Sequence, residues 1–386
     1  MRNPISLLIL FSVILIHAFT LGETAQEVMI PIVRVNIEDD QDGISLALKN
    51  TYKIYALNTE RIVMEGSFLR TEVRPAKEGL TIGEKVVKVP GITVKVPKTA
   101  TVFVNDKCFR GTIDIIKKDN GKFLVVNRIQ LEEYLYGVLH QEVSHLWPME
   151  ALKAQAIAAR TFALYEMQQS KLRDYDVRSD IYSQVYGGRA WERWSTNRAV
   201  DLTRGQLLTC RSALFPTYFH ATCAGHTEDA SNLWNIDIPP LKGVTCDYCK
   251  DSPHSVWTKE IPLYEIENKL RESKYTIGKI ASLAVIDRNK IGRVGKVEVK
   301  DDAGSSVILT GKDFRQMMGP NEIRSTNFDF TVKKGSVIVD GLGWGHGVGM
   351  CQWGAYGLAL AGKKCEEILS FYYPGSAITT LKDKAQ

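Results

Sequence analysis

A carboxylate stands where the hydrophobic pattern asks for an apolar side chain. Leu131, Leu135, Val138 and Leu139 recur at helical spacing, and Glu142 continues their stripe. A carboxyl on a face that is otherwise buried is either a paired structural group or a functional acid. Arg160 or a lysine inside the fold would make it structural. Left without a cation, it would be desolvated, its pKa would rise, and it would stay protonated near neutral pH.

Two further groups of residues carry chemistry. Seven cysteines stand at positions 108, 210, 223, 246, 249, 351 and 365, and an odd number cannot all pair internally. Cys223 with His226, and Cys246 with Cys249, form two pairs with two intervening residues each, the spacing of metal knuckles; His220 and His254 lie close by. Filled by four protein ligands, such a site would be a closed, structural zinc site. A disulfide from Cys246 to Cys249 or involving Cys223, and buried thiols, are the alternatives that the spacing leaves open. The expected ligands are Cys223, His226, Cys246 and Cys249, with His220 left for a binding groove.

The third group is a loop in which glycines alternate from Gly341 to Gly349, with Trp344 and His346 between them and Gln352 and Trp353 just beyond. It lacks the Lys-Ser/Thr and the later ribose-binding acid of a phosphate cradle, so neither a nucleotide nor an organic cofactor is expected. Alternating glycines would let the backbone approach a sugar. His346 and Gln352 offer hydrogen bonds, and Trp344 or Trp353 a stacking face. A tight structural turn packed on a helix is the other reading.

The elements that must position these groups follow from periodicity. From Ile30 to about Val126 the chain is rich in short β-branched runs broken by turn residues, and Asn120-Gly121 between two such runs predicts a tight hairpin. The helix over 131–142 comes next. Pro148 then opens a second helix whose alanines, Ala156, Ala159 and Ala163 among them, permit close packing. After Val337 the pattern reads strand, glycine loop, a helix over 352–360 and a last helix over 365–372. The expected architecture is α+β, with a β-rich accessory region over 28–104 and a main domain over 105–380.

With 386 residues the chain is long enough for about two domains, and a net charge of +5 without a long Lys/Arg run gives no sign of a nucleic-acid binder. Arg2, the apolar stretch Ile5 to Leu21 and the small and polar residues up to Ala25 read as a secretory signal peptide over 1–25, with an uncleaved membrane anchor as the alternative. Either reading places the rest of the chain outside the cytoplasm.

Four stretches resemble one family. Tyr134-Leu135-Tyr136-Gly137-Val138, then Glu142, then Trp147-Pro148 and Ala154-Gln155-Ala156 are similar to the core of the stage II sporulation protein D family, SpoIID/LytB. Gly343-Trp344-Gly345-His346-Gly347 through Gln352-Trp353-Gly354, with Tyr372-Tyr373-Pro374-Gly375, resembles its closing motif. Gln184-Val185-Tyr186-Gly187-Gly188 and Phe219-His220-Ala221-Thr222-Cys223 look like landmarks between them. The resemblance implies a SpoIID-type catalytic domain acting on peptidoglycan: a lytic transglycosylase on glycan strands stripped of their stem peptides, or an enhancer of a cell-wall amidase. It carries the catalytic acid onto Glu142. Val143-Ser144-His145-Leu146 departs from the apolar residue and proline common after that acid, so the local loop is expected to differ. Some relatives bind zinc just before the Gln-Val-Tyr landmark; Val177 to Ser183 has neither Cys nor His, so that site does not carry over.

Overall fold

A computed structural model describes residues 30–381. The expected signal segment, residues 1–25, lies outside the described residues. The fold is α+β, as expected, and its β part is built on period-two burial. In Ile44–Leu48, for example, Ile44, Leu46 and Leu48 are buried while Ser45 is exposed.

A seven-stranded sheet runs in the order 177–178, 32–41, 123–130, 112–117, 91–95, 52–56, 62–66. A six-stranded sheet runs in the order 107–109, 102–104, 44–48, 69–76, 79–82, 85–87. Strands from both sides of residue 104 pair directly: Ile32–Gln41 lies antiparallel to Phe123–Gln130, and Gly91–Lys95 to Thr112–Lys117. The β-rich region is therefore built into the body that carries the helices, with one shared apolar core, rather than attached as an accessory. Local composition could not reveal this, because strand pairing is decided by partners distant in sequence. The hairpin forms as expected, with Gly121 at φ +81° in the turn.

The Leu131–Glu142 helix follows directly on the Phe123–Gln130 strand and buries Leu131, Leu135, Val138 and Leu139. At its end Val143 returns to extended backbone. Met149–Gln169 follows, buried from Ala151 to Leu164 on nearly every side. Its small side chains let four helices approach: the first helix, Trp194–Leu202, and the C-terminal helices Gln352–Leu360 and Cys365–Tyr372.

A second core gathers Ala154, Ile157, Ala158, Phe215, Val348 and Tyr372 around the buried cysteines. A third belongs to residues 256–342, where two three-stranded sheets and the helices Leu263–Glu272 and Gly311–Met318 pack on Trp257, Phe314 and Phe328. Thr310 caps the Gly311–Met318 helix by accepting from the Asp313 amide at 3.0 Å. No helix among the described residues is long and apolar enough to cross a membrane.

Candidate functional site

The three cores meet at a cavity of about 580 Å³. The helices Leu131–Glu142 and Met149–Gln169 contribute Glu142, Phe162 and Glu166, the paired segments around 220 and 344–352 contribute His220, Trp344, His346 and Gln352, and the Gly311–Met318 helix contributes Lys312 and Arg315.

Glu142 is the last residue of its helix, and its carboxyl opens onto the cavity. Burial raises its pKa from 4.5 to about 7, against the opposing effects of the Val185 amide and the Gln352 side chain, which bond the charged form. The Val185 N–H donates to Oε1 at 3.0 Å. That amide is held by its neighbours in the Gln-Val-Tyr segment. Gln184 accepts from the Tyr134 hydroxyl at 3.1 Å and donates to the Ala159 carbonyl at 3.2 Å, while Tyr186 donates to Asn127 at 2.8 Å. The cation that sequence offered, Arg160, is engaged elsewhere, with Glu132.

His220 and His346 face one another across 5.6 Å. The His220 Nδ1–H donates to the Val348 carbonyl at 3.1 Å, which leaves Nε2 a bare acceptor, enclosed and without a partner. His346 Nδ1 accepts from the Val348 amide at 3.0 Å. Burial, reinforced by Arg293, pushes the His220 pKa down to about 3, and burial likewise holds His346 well below its usual value. Both rings are neutral hydrogen-bonding groups at physiological pH.

The alternating glycines serve a different contact from the one expected. Gly343, Gly345, Gly347 and Gly349 all have positive φ, from +71° to +113°. A Cβ on Gly343 would meet the Thr222 carbonyl, on Gly345 the His220 side chain, on Gly347 the Arg293 guanidinium and on Gly349 the Tyr218 carbonyl. The loop is thus pressed against the 218–222 segment of the protein itself, and this is what sets Trp344 and His346 into the cavity wall.

Trp344 packs edge-on against His254 and under the Arg324 guanidinium, 4.9 Å from the ring. Trp353 is not among the residues lining this cavity, and packs with Trp147 and Tyr356 at 5.4 Å from each. Its one-residue offset from Gln352 on a helix turns it to another face.

Sequence reasoning missed Glu166, Tyr218, Trp234, Lys312 and Arg315, all of which line the cavity. Trp234 packs edge-on against His346 at 5.1 Å. None of them belongs to a motif; only the topology brings them to one wall.

Behind this wall lies the cysteine cluster. Cys223, Cys246, Cys249 and Cys351 are all buried, with their sulfurs within 4.8 Å of one another. The expected fourth member was His226, and the structure puts Cys351 in its place. His226 Nδ1 is turned to the Thr227 carbonyl at 2.6 Å. Parallel pairing of Phe219–His220 with Met350–Cys351 carries Cys351 to the other three, a contact that knuckle spacing could not announce. The Cys223 and Cys249 sulfurs are 3.6 Å apart, contact distance rather than a bond. Two amides, of Cys223 and Gly354, donate to Cys351 Sγ, each at 3.3 Å. Four converging sulfurs of this kind could hold a metal ion.

Comparison with known proteins agrees with this geometry. The family model described as "Stage II sporulation protein" matches residues 119–210, and a second, described as a domain of unknown function (DUF8618), matches 249–349. An uncharacterized protein of Brachyspira hyodysenteriae is 35% identical over 89% of this chain and 92% of its own length. The stage II sporulation protein D of Bacillus subtilis is 32% identical over 66% of this chain and 76% of its own. The amidase enhancer of the same organism is 30% identical over 64% of this chain, but that match spans 40% of the enhancer. With the motifs in order around one cavity and a relative of this identity and coverage, the chain belongs to the SpoIID family.

Proposed function

We propose that the protein is an exported peptidoglycan lytic transglycosylase in which Glu142 is both acid and base. The observation that carries this reading is the enclosed Glu142 carboxyl, protonated up to about pH 7 and bonded by the Val185 amide and Gln352 rather than by a cation. A single group of this pKa can give a proton to the glycosidic oxygen and then, as carboxylate, take one from the muramic acid 6-hydroxyl. That oxygen closes on the anomeric carbon as the leaving sugar departs, giving a 1,6-anhydro end. The backbone N–H of Val185 and the Gln352 amide stabilise the carboxylate between the two transfers. Neutral His220, with its bare Nε2, and Trp344 supply polar and stacking contacts to the sugar.

Glu166 borders the same cavity, and burial raises its pKa too. A second carboxyl is what hydrolysis would need. The product separates the two routes: incubation with peptide-stripped glycan strands should give anhydro ends by mass spectrometry, lost in Glu142→Gln and kept in Glu166→Gln. Reducing ends instead would establish hydrolysis. Intact strands, bound but uncut, together with stimulation of an amidase, would favour the role that the name of the Bacillus relative describes.

Two further parts belong to this reading. The cysteine cluster takes a structural zinc: a tetrahedron with Zn–S of about 2.3 Å has edges of about 3.8 Å, close to the 3.6 Å separation of Cys223 and Cys249. Four protein ligands leave no position for water, so such a metal stabilises the wall and does no chemistry. Export through the 1–25 segment brings the protein to its substrate; a mature protein found in the cytosol with residues 1–21 intact would sink the cell-wall assignment.

A further inference from the structure

The cavity is not electrically uniform. Lys312 and Arg315 stand one turn apart on the Gly311–Met318 helix, and both line it. Their neighbours are carbonyls: Arg315 Nε donates to the Arg324 carbonyl at 3.2 Å, and Lys312 Nζ to the Leu233 carbonyl at 2.9 Å. Carbonyls orient a cation without neutralising it. Among the described residues neither side chain has a carboxylate partner; Asp313, between them, is turned to Thr310 at 2.6 Å. The cavity's own carboxyls do not serve either. Glu142 is perturbed by burial, Val185 and Gln352, and Glu166 by burial and Arg173.

Arg315 is largely enclosed, and burial with the nearby Arg293 guanidinium pushes its pKa down to about 10, so it keeps its charge at neutral pH. An enclosed cation without a counter-ion is costly unless a ligand brings one. The His220 Nε2, enclosed in the same cavity without a partner on a side chain only 4% exposed, is an independent sign that a polar ligand completes this wall.

In a glycan of alternating N-acetylated sugars, the one acidic group is the lactyl carboxylate of muramic acid. A stem peptide ties that carboxyl up as an amide; its removal frees the charge. Resting on the reading of the cavity as a glycan site, we propose that Arg315 and Lys312 form an anion subsite for this free lactyl carboxylate, and so select peptide-stripped strands. The guanidinium fork matches a carboxylate with two parallel N–H bonds, and Lys312 adds a second charge. The 249–349 region thereby supplies the specificity wall of a site whose acid lies elsewhere.

The test uses the full-length mature protein, three strand preparations (stripped, stripped with the carboxyl amidated, and peptide-bearing) and the variants Arg315→Gln, Arg315→Lys and Lys312→Gln. For stripped strands Arg315→Gln should raise KM on the order of ten- to hundredfold with kcat little changed, Lys312→Gln should act less, and Arg315→Lys should recover part of the loss. Amidated strands should bind wild type and variants alike. Wild-type KM in both Gln variants, or equal losses on stripped and amidated strands, would overturn the subsite. Peptide-bearing strands bound as tightly as stripped ones, and dependent on Arg315, would move the anion to the peptide and also overturn it. If wild type cuts nothing, the lytic reading fails, yet calorimetry with the same strands still decides the subsite by whether affinity depends on Arg315 and on the free carboxyl. Should Arg315→Gln melt early, Lys312→Gln and the strand comparison carry the same decision.

Discussion

Glu132 and Arg160 form a buried, two-pronged ion pair, with Nε to Oε1 at 3.0 Å and Nη2 to Oε2 at 2.7 Å. Arg160 also donates to the carbonyls of Val200 and Gln206, at 3.1 and 3.2 Å, so its guanidinium is committed to tying two helices to the chain beyond them. Two glutamates ten positions apart on one helix thus have opposite fates: Glu132 balances the cation, and Glu142 is left protonated.

Removing the first should therefore unfold, and removing the second should not. Glu132→Gln strands a buried guanidinium, with an expected loss of about 3–5 kcal/mol in urea unfolding. Glu142→Gln should be at least as stable as wild type at pH 6 while abolishing glycan cleavage. A large loss of stability in Glu142→Gln would show that the acid is structural after all.

Stability should depend on pH through Glu142 in a definite direction. Its folded pKa, about 7, lies above the ordinary 4.5, so the folded state holds the proton more tightly. The contribution is fully present below about pH 4.5 and is lost as pH rises through 7. Glu142→Gln, which cannot ionise, should become more stable than wild type at pH 8 by on the order of 1–3 kcal/mol. Parallel unfolding curves at pH 5 and 8 check the sign.

Activity should fall along the same titration, because the proton is needed first. The alkaline limb of kcat/KM is expected near pH 7. Gln352→Leu removes a bond to the carboxylate form, so the limb should move upward by on the order of one pH unit. A downward shift would mean that Gln352 holds the protonated acid instead.

Zinc content should follow Cys351 and ignore His226. Protein purified without chelator is expected to hold one zinc per chain by elemental analysis, retained in His226→Ala and lost in Cys351→Ser. Chelation should lower the melting temperature by several degrees before cleavage is abolished. Absence of zinc together with a disulfide among these cysteines in mass spectra would replace the metal by a covalent staple.

The glycine loop divides into backbone and side-chain roles. Gly349→Ala must hold φ near +71° and push a methyl into the Tyr218 carbonyl, so a destabilisation of about 3 kcal/mol or more is expected. Trp344→Ala leaves that backbone unchanged and should chiefly weaken glycan binding. Equal unfolding in both variants would assign Trp344 to the fold.

Local signals carried the sequence reading as far as local forces act. Asn120-Gly121 announced the turn, the apolar stripe gave the Leu131–Glu142 helix, and the alanines of Met149–Gln169 foretold its close packing, because backbone strain and periodic burial are written in neighbouring residues. Glu142 stood out for the same reason, as the one charge on an apolar stripe. What the stripe could not say was which carboxylate Arg160 would choose. Nor could spacing reveal that Cys351 rather than His226 closes the sulfur cluster, that Trp353 turns away from the cavity, or that Lys312 and Arg315 face Glu142 from another core. Those outcomes are settled by strand pairing and packing between segments far apart in the chain. There, burial decides which charges must find partners and which can wait for a ligand.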